Sequence, residues 1–259
     1  MSTLKLFAIA TAAALVVTFV VVSTITTSQP QIRFQEPKSD EIHLVASGKR
    51  LEVNNPDPAK LYVVESGADV IITAPLGDPA RTLAARVIVH SGGRLEAHGT
   101  NVDITAQPGS EVTVYDGVVI EATGAKVFVR GNVKLKAFAG TVVRSTGSGE
   151  EFAYAGSITY TQAKGRTFAE EGSTVYAKSL DDCDACTQVV ASPGSTVYVF
   201  DGAEAFGKGA TVYVYKGGEV GCAHDCTLFL YAGAEFNYGP ACVVHNMPDD
   251  DTPDPFSNE

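Results

Sequence analysis

Five cysteines sit in the last third of this chain, in three groups: Cys183 with Cys186, Cys222 with Cys226, and Cys242 alone. His224 lies inside the second group and His245 just past the third. Two cysteine pairs at C-x2-C and C-x3-C spacing are donor sets that could build a tetrahedral zinc site. Oxidised, the same sulfurs would be staples, and an exported chain favours staples. Cys226 precedes Leu228 by two residues, and Cys242 precedes Val244 by two, one 16-residue interval later. If those intervals are coils of a stack, the two positions lie about 5 Å apart, inside the Cα window of a disulfide. The expectation is therefore a Cys226–Cys242 bridge on the last coil and a small Cys183–Cys186 ring, with Cys222 left over. No metal and no other cofactor is expected.

The second constellation is aromatic. Val197-Tyr198-Val199-Phe200, Val212-Tyr213-Val214-Tyr215 and Leu228-Phe229-Leu230-Tyr231 repeat one line at offsets of 15 and 16 residues. Strand alternation points Val197, Val199, Val212, Val214, Leu228 and Leu230 inward. Tyr198, Tyr213 and Phe229 then form one outward column, and Phe200, Tyr215 and Tyr231 form the next. Aromatic residues suit exposed strands and stack from coil to coil. A strip this long is also an apolar patch that something can cover: a second copy, a surface protein, the chain's own tail or a glycan. The absence of tryptophan argues against sugar stacking.

Catalytic chemistry is thinly represented. The histidines His43, His90, His98, His224 and His245 fall in unrelated repeats, and no G-x-S-x-G, H-E-x-x-H or phosphate loop is present. Glu204, Glu219 and Glu235 recur at one repeat position and read as a solvated acidic column rather than an acid/base pair. Asp103, Arg130, Lys134, Lys136 and Arg144 are the set that a polyuronate-cleaving groove would use. The chain is read as a non-enzyme.

These residues must be positioned by short strands. Each repeated line is a strand, a glycine turn and a second short strand, and such units recurring at a fixed short period stack into a solenoid. Leu61-Tyr62-Val63-Val64, Val87-Ile88-Val89-His90, Val112-Thr113-Val114-Tyr115 and Val127-Phe128-Val129-Arg130 match the later line and extend the stack toward the N-terminus. By that alignment Ile88 and His90 join the columns that later hold the aromatic rings. The stretch from Gly147 to Gly172 is the weakest match. The expected fold is all-β: a single-stranded right-handed parallel β-helix with coils of about 15–16 residues, preceded by an N-terminal hydrophobic helix. The hand follows the crossover preference of parallel strands.

Four segments are expected. Residues 1–26 contain an uncharged run from Leu6 that reaches 20 residues at Ile25. That is about the length that spans a hydrocarbon core, whereas a cleaved signal has an apolar stretch of about 7–15 residues. It reads as a signal-anchor helix, with a cleaved signal peptide as the alternative. Residues 27–60 are a proline-bearing stalk with a capping strand, 61–245 the solenoid, and 246–259 an acidic, disordered tail. The protein is expected at the cell membrane as a single-pass chain with its solenoid outside the cytoplasm, or secreted if the anchor is removed. A net charge of −11 and only 19 scattered Lys and Arg residues exclude a nucleic-acid surface.

The Val-x-Val-x-x-Gly-Gly/Ala-x-Val lines, such as Val87-Ile88-Val89-His90-Ser91-Gly92-Gly93-Arg94-Leu95, resemble the repeats of autotransporter-type adhesin β-helices from about Leu61 to His245. They are less similar to bactofilins, short β-helices that polymerise. The resemblance is architectural; it transfers no functional residue, and no translocator barrel accompanies it. It implies a structural or adhesive surface protein whose aromatic face meets a second copy or another partner. The alternatives are a carbohydrate-binding module or polysaccharide-cleaving enzyme, and a polymerising bactofilin-like scaffold.

Overall fold

The computed structural model describes residues 41–46, 49–75, 84–100, 102–162, 164–179, 187–248 and 255–256. The expected N-terminal helix lies outside them, as do Cys183 and Cys186. No helix among the described residues is long and apolar enough to cross a membrane.

The chain alternates short strands with tight corners. In order these are β1 (Glu41–Leu44), β2 (Leu51–Asn54), β3 (Leu61–Val64), β4 (Asp69–Thr73), β5 (Ala85–Val89), β6 (Arg94–His98), β7 (Val102–Ala106) and β8 (Glu111–Val114). Then follow β9 (Val118–Ala122), β10 (Lys126–Val129), β11 (Asn132–Ala137), β12 (Val142–Ser145), β13 (Ser148–Ala153), β14 (Ile158–Thr161), β15 (Arg166–Ala169) and β16 (Thr174–Ala177). The last are β17 (Thr187–Ala191), β18 (Thr196–Val199), β19 (Ala203–Gly207), β20 (Thr211–Val214), β21 (Glu219–Cys222), β22 (Thr227–Leu230), β23 (Glu235–Tyr238) and β24 (Val243–Asn246). Odd strands build one 12-stranded sheet and even strands another, each in sequence order, with every pairing parallel. Each coil supplies one strand to each sheet, which is the expected β-solenoid.

Alternation along each strand fills the lumen. Val197, Val199, Val212, Val214 and Leu228 are fully buried, and Leu230 nearly so, while their neighbours face out. The register keeps like over like: Val212 pairs with Val197 and Leu228, and Tyr213 with Tyr198 and Phe229. Corners stack as strands do. Gly217 sits at φ +74°, a conformation open to a residue without Cβ, and its backbone bonds Gly202 on one side and Gly233 on the other. At a second corner the Oγ atoms of Ser157, Ser173 and Ser195 each donate to the carbonyl three residues earlier.

Two alignments need correction. Leu61-Tyr62-Val63-Val64 and Val87-Ile88-Val89-His90 belong to the odd sheet (β3 and β5), whereas Val112, Val127, Val175 and Val197 lie in the even sheet. Both halves of a coil carry the same apolar-x-apolar-turn-Gly pattern, so pattern alone does not say which wall a strand belongs to. Ile88 and His90 therefore lie on a different face from the aromatic columns. The stretch from Gly147 to Gly172, weakest by pattern, is fully paired through β13, β14 and β15. Its signal is weak because its inward positions are polar. Glu151, Thr159, Thr161 and Thr167 point into the lumen together with Ser145, and the apolar core divides there into two clusters.

Candidate functional site

Parallel in-register pairing places every outward side chain above its equivalent on the previous coil, so a repeated ring becomes a column. On the even sheet Tyr198, Tyr213 and Phe229 stack with centroids 4.7 and 4.5 Å apart and planes within 9° of parallel. The column continues past the repeat that announced it. Tyr160 and Tyr176 join at 4.8 and 4.6 Å, and His245 closes the other end at 4.8 Å. Beside it Phe200, Tyr215 and Tyr231 stack at 4.5 Å per step. The Arg144 guanidinium heads the long column, 5.2 Å from the Tyr160 centroid. Burial pushes the Tyr176 and Tyr198 hydroxyls above the usual phenol range, with neighbouring phenols adding to it, so these two stay neutral.

Of the six rings expected to form a contact face, five are half-buried and Phe200 is buried. The cover is Phe256, within the segment expected to be a disordered tail. Its ring stands edge-on to Phe200 and Tyr160, with centroids 5.9 and 6.1 Å away. In the second column the residue preceding Phe200 is Lys178, so the rings stop there.

A second apolar strip, missed in the sequence, crosses the odd sheet. Phe152 stacks on Phe168 at 4.7 Å, and the register continues through Val190 to Phe206, which is 41% exposed. Its signal was the 16-residue interval between the two phenylalanines, hidden by the polar inward residues around them.

The cysteines depart from expectation. Cys222 is bonded to Cys226 across Ala223-His224-Asp225, and the expected Cys226–Cys242 bridge is not formed. Cys242 is a half-buried thiol whose Sγ lies 3.7 Å from that of Cys222, and all three sulfurs lie within 4.8 Å of one another. One-coil spacing did bring Cys242 to the group. The left-handed Asp225 (φ 61°) turns the corner so that the end of β21 meets Cys226 first. Among the described residues a bonded pair and one thiol are fewer than the four donors of a structural zinc site.

The candidates for cleavage chemistry are split, with Arg130 and Arg144 lining one hollow and the other three on the odd sheet. Asp103, Lys134 and Lys136 lie on odd strands, Arg144 on an even strand and Arg130 directly after one. Lys136 is engaged by Glu121 at 2.7 Å. Glu204, Glu219 and Glu235 do pair in register as an acidic column. Partial burial and then the adjacent Glu219 push Glu204 upward, the behaviour of a like-charged ladder. Among the histidines, His43 and His90 converge on Glu65 at 2.7 and 3.0 Å. Their hydrogen bonds hold the Glu65 carboxyl below the usual carboxylate range, and Glu65 raises His43 in turn.

The chemically most unusual group is inside the solenoid. Glu151 on β13 is fully enclosed, and its Oε2 accepts from Thr167 Oγ1 at 3.3 Å. Ser145 Oγ is buried beside this layer, near enough to the Glu151 carboxyl to lower its pKa but outside good hydrogen-bond geometry. Desolvation pushes the Glu151 carboxyl up to about 7, only partly opposed by the hydroxyls.

No protein-family model and no curated protein matches this chain. Among solved structures it is similar to a crystal structure of a TibC-catalysed hyper-glycosylated TibA fragment, covering 83% of this chain and 96% of that one at 16% identity, with a TM-score of 0.36.

Proposed function

We propose that this chain is a non-enzymatic structural or adhesive surface protein: a solenoid rod, held at the membrane by its N-terminal segment, that associates with a second copy through its even face. The observation that carries this reading is the six-ring column from Tyr160 to His245, stacked at 4.5–4.8 Å per coil. A monomer gains stacking energy from such a column but leaves its outer edges against water. A second solenoid has the same rise per coil, so an equivalent column can mate with it rung by rung. Ring-to-ring contacts of this kind contribute roughly 0.5–1.5 kcal/mol each, and several in register suffice for a specific association.

The test is the solution mass of the chain from Gln31 onward, by light scattering without reductant, beside a Tyr198→Ser/Tyr213→Ser variant. A discrete oligomer that becomes monomeric in the variant, with an unchanged β spectrum, supports the reading. A wild-type monomer at all concentrations sinks self-association.

A further inference from the structure

Upstream of the stacked rings, two hollows on the solenoid meet at Arg130 and Thr146. One, of about 410 Å³, follows the corner where even strands hand over to odd ones, above Gly131, Gly147 and Lys164. The other, of about 430 Å³, is bounded by Phe128, Arg130, Arg144 and Thr146. Arg130 and Thr146 line both, so the two hollows adjoin as one grooved surface at the edge of the even face.

The groove has a local cause. Successive corners approach so closely here that a Cβ on Gly147 would lie 2.2 Å from the Gly131 carbonyl oxygen. The corner must stay bare of side chains, and a furrow results. Its rim is basic although the chain carries a net charge of −11. Arg130 follows β10, Arg144 lies on β12 and Lys164 follows β14, so successive coils about 4.8 Å apart each present a cation. Asp116 is the acid among the described lining residues, and its carboxylate accepts the Asn132 backbone N–H. On the even face Phe128, Arg144 and Tyr160 occupy one register column, a guanidinium between two rings. Aromatic faces receive the C–H surface of a sugar ring, and guanidinium forks receive carboxylate or sulfate oxygens.

We propose that this groove binds an anionic polysaccharide, with Arg130 and Arg144 taking its acidic groups and Phe128 and Thr146 lining the path of its sugar rings. The site lies upstream of Tyr198 and does not depend on self-association of the even face. A polymer suits it better than a single sugar, because the cations recur coil by coil along an open furrow.

The full chain is run in affinity gels containing polygalacturonate, dextran sulfate, neutral dextran or polyglutamate. Retardation by polygalacturonate or dextran sulfate, absent with neutral dextran and weakened by salt, is expected; which polymer acts assigns carboxylate or sulfate. An Arg130→Gln/Arg144→Gln variant is expected to lose about tenfold or more in affinity. The Tyr198→Ser/Tyr213→Ser variant is expected to keep it. No retardation of the wild type, equal retardation by neutral dextran, or binding unchanged in the double arginine variant overturns the proposal. Equal retardation by polyglutamate overturns it in favour of an acidic peptide ligand.

Discussion

Phe256 stands edge-on to Phe200, with ring centroids 5.9 Å apart and planes at 83°. The pair joins residues 56 positions apart and leaves both rings under 10% exposed. An edge-to-face contact adds roughly 0.5–1.5 kcal/mol to the area it buries. Phe256 thus occupies the end of the second ring column.

Phe256→Ala uncovers Phe200 while leaving the solenoid coils untouched. The expected result is faster proteolytic removal of the C-terminal tail and stronger self-association, with an unchanged melting profile for the coils. Limited proteolysis and light scattering on the same sample check it. A tail cleaved at the wild-type rate would mean that the contact holds nothing in place.

The enclosed carboxyl of Glu151 makes stability depend on pH. Its folded-state value, about 7, is raised above the ordinary 4.5, so folding favours the protonated form. The stabilising contribution is complete below about pH 4.5, shrinks as pH rises, and is lost above about 7. The total change is on the order of 3 kcal/mol. Urea midpoints between pH 4.5 and 8 are expected to fall for the wild type and to stay nearly flat for Glu151→Gln.

The sulfur cluster predicts a change of partner. Cys226→Ser releases Cys222, whose Sγ is 3.7 Å from that of Cys242. Peptide mapping without reductant is expected to show a Cys222–Cys242 crosslink in this variant and a Cys222–Cys226 crosslink in the wild type. Finding Cys242 still alkylatable in Cys226→Ser would count against the arrangement.

The stack tolerates little at the corner where Gly147 lies over Gly131. Gly147→Ala brings a methyl against the Gly131 carbonyl oxygen, and the backbone on both sides has nowhere to retreat. A loss of roughly 2 kcal/mol or more is expected. Leu228→Ala, at a fully buried position, is expected to lose about 2–5 kcal/mol. Thermal or urea unfolding measures both.

The legible part of the site was the part that repeats. Tyr198, Tyr213 and Phe229 share a position in three consecutive lines, and parallel register turned that spacing into a stack. Tyr176, in the line Val175-Tyr176-Ala177, also fell in this column by the repeat, whereas Tyr160 escaped notice. Around it Glu151, Thr159 and Thr167 replace the aliphatic residues that mark a coil. Phe256 has no repeat to announce it at all.

Taken alone, the sequence determined the architecture. Alternating apolar residues at a period near 16, broken by glycine, leave few ways to bury the apolar positions other than stacked coils with one lumen. Tertiary structure decided which wall each strand joins, which cysteine reaches Cys222 first, and what covers Phe200. It also brought Arg130 and Arg144 into one hollow. Periodicity is a property of neighbouring residues, so it survives in the sequence. Which side chains finally meet depends on corner geometry and on residues inserted between coils, and those are resolved only once the whole stack is formed.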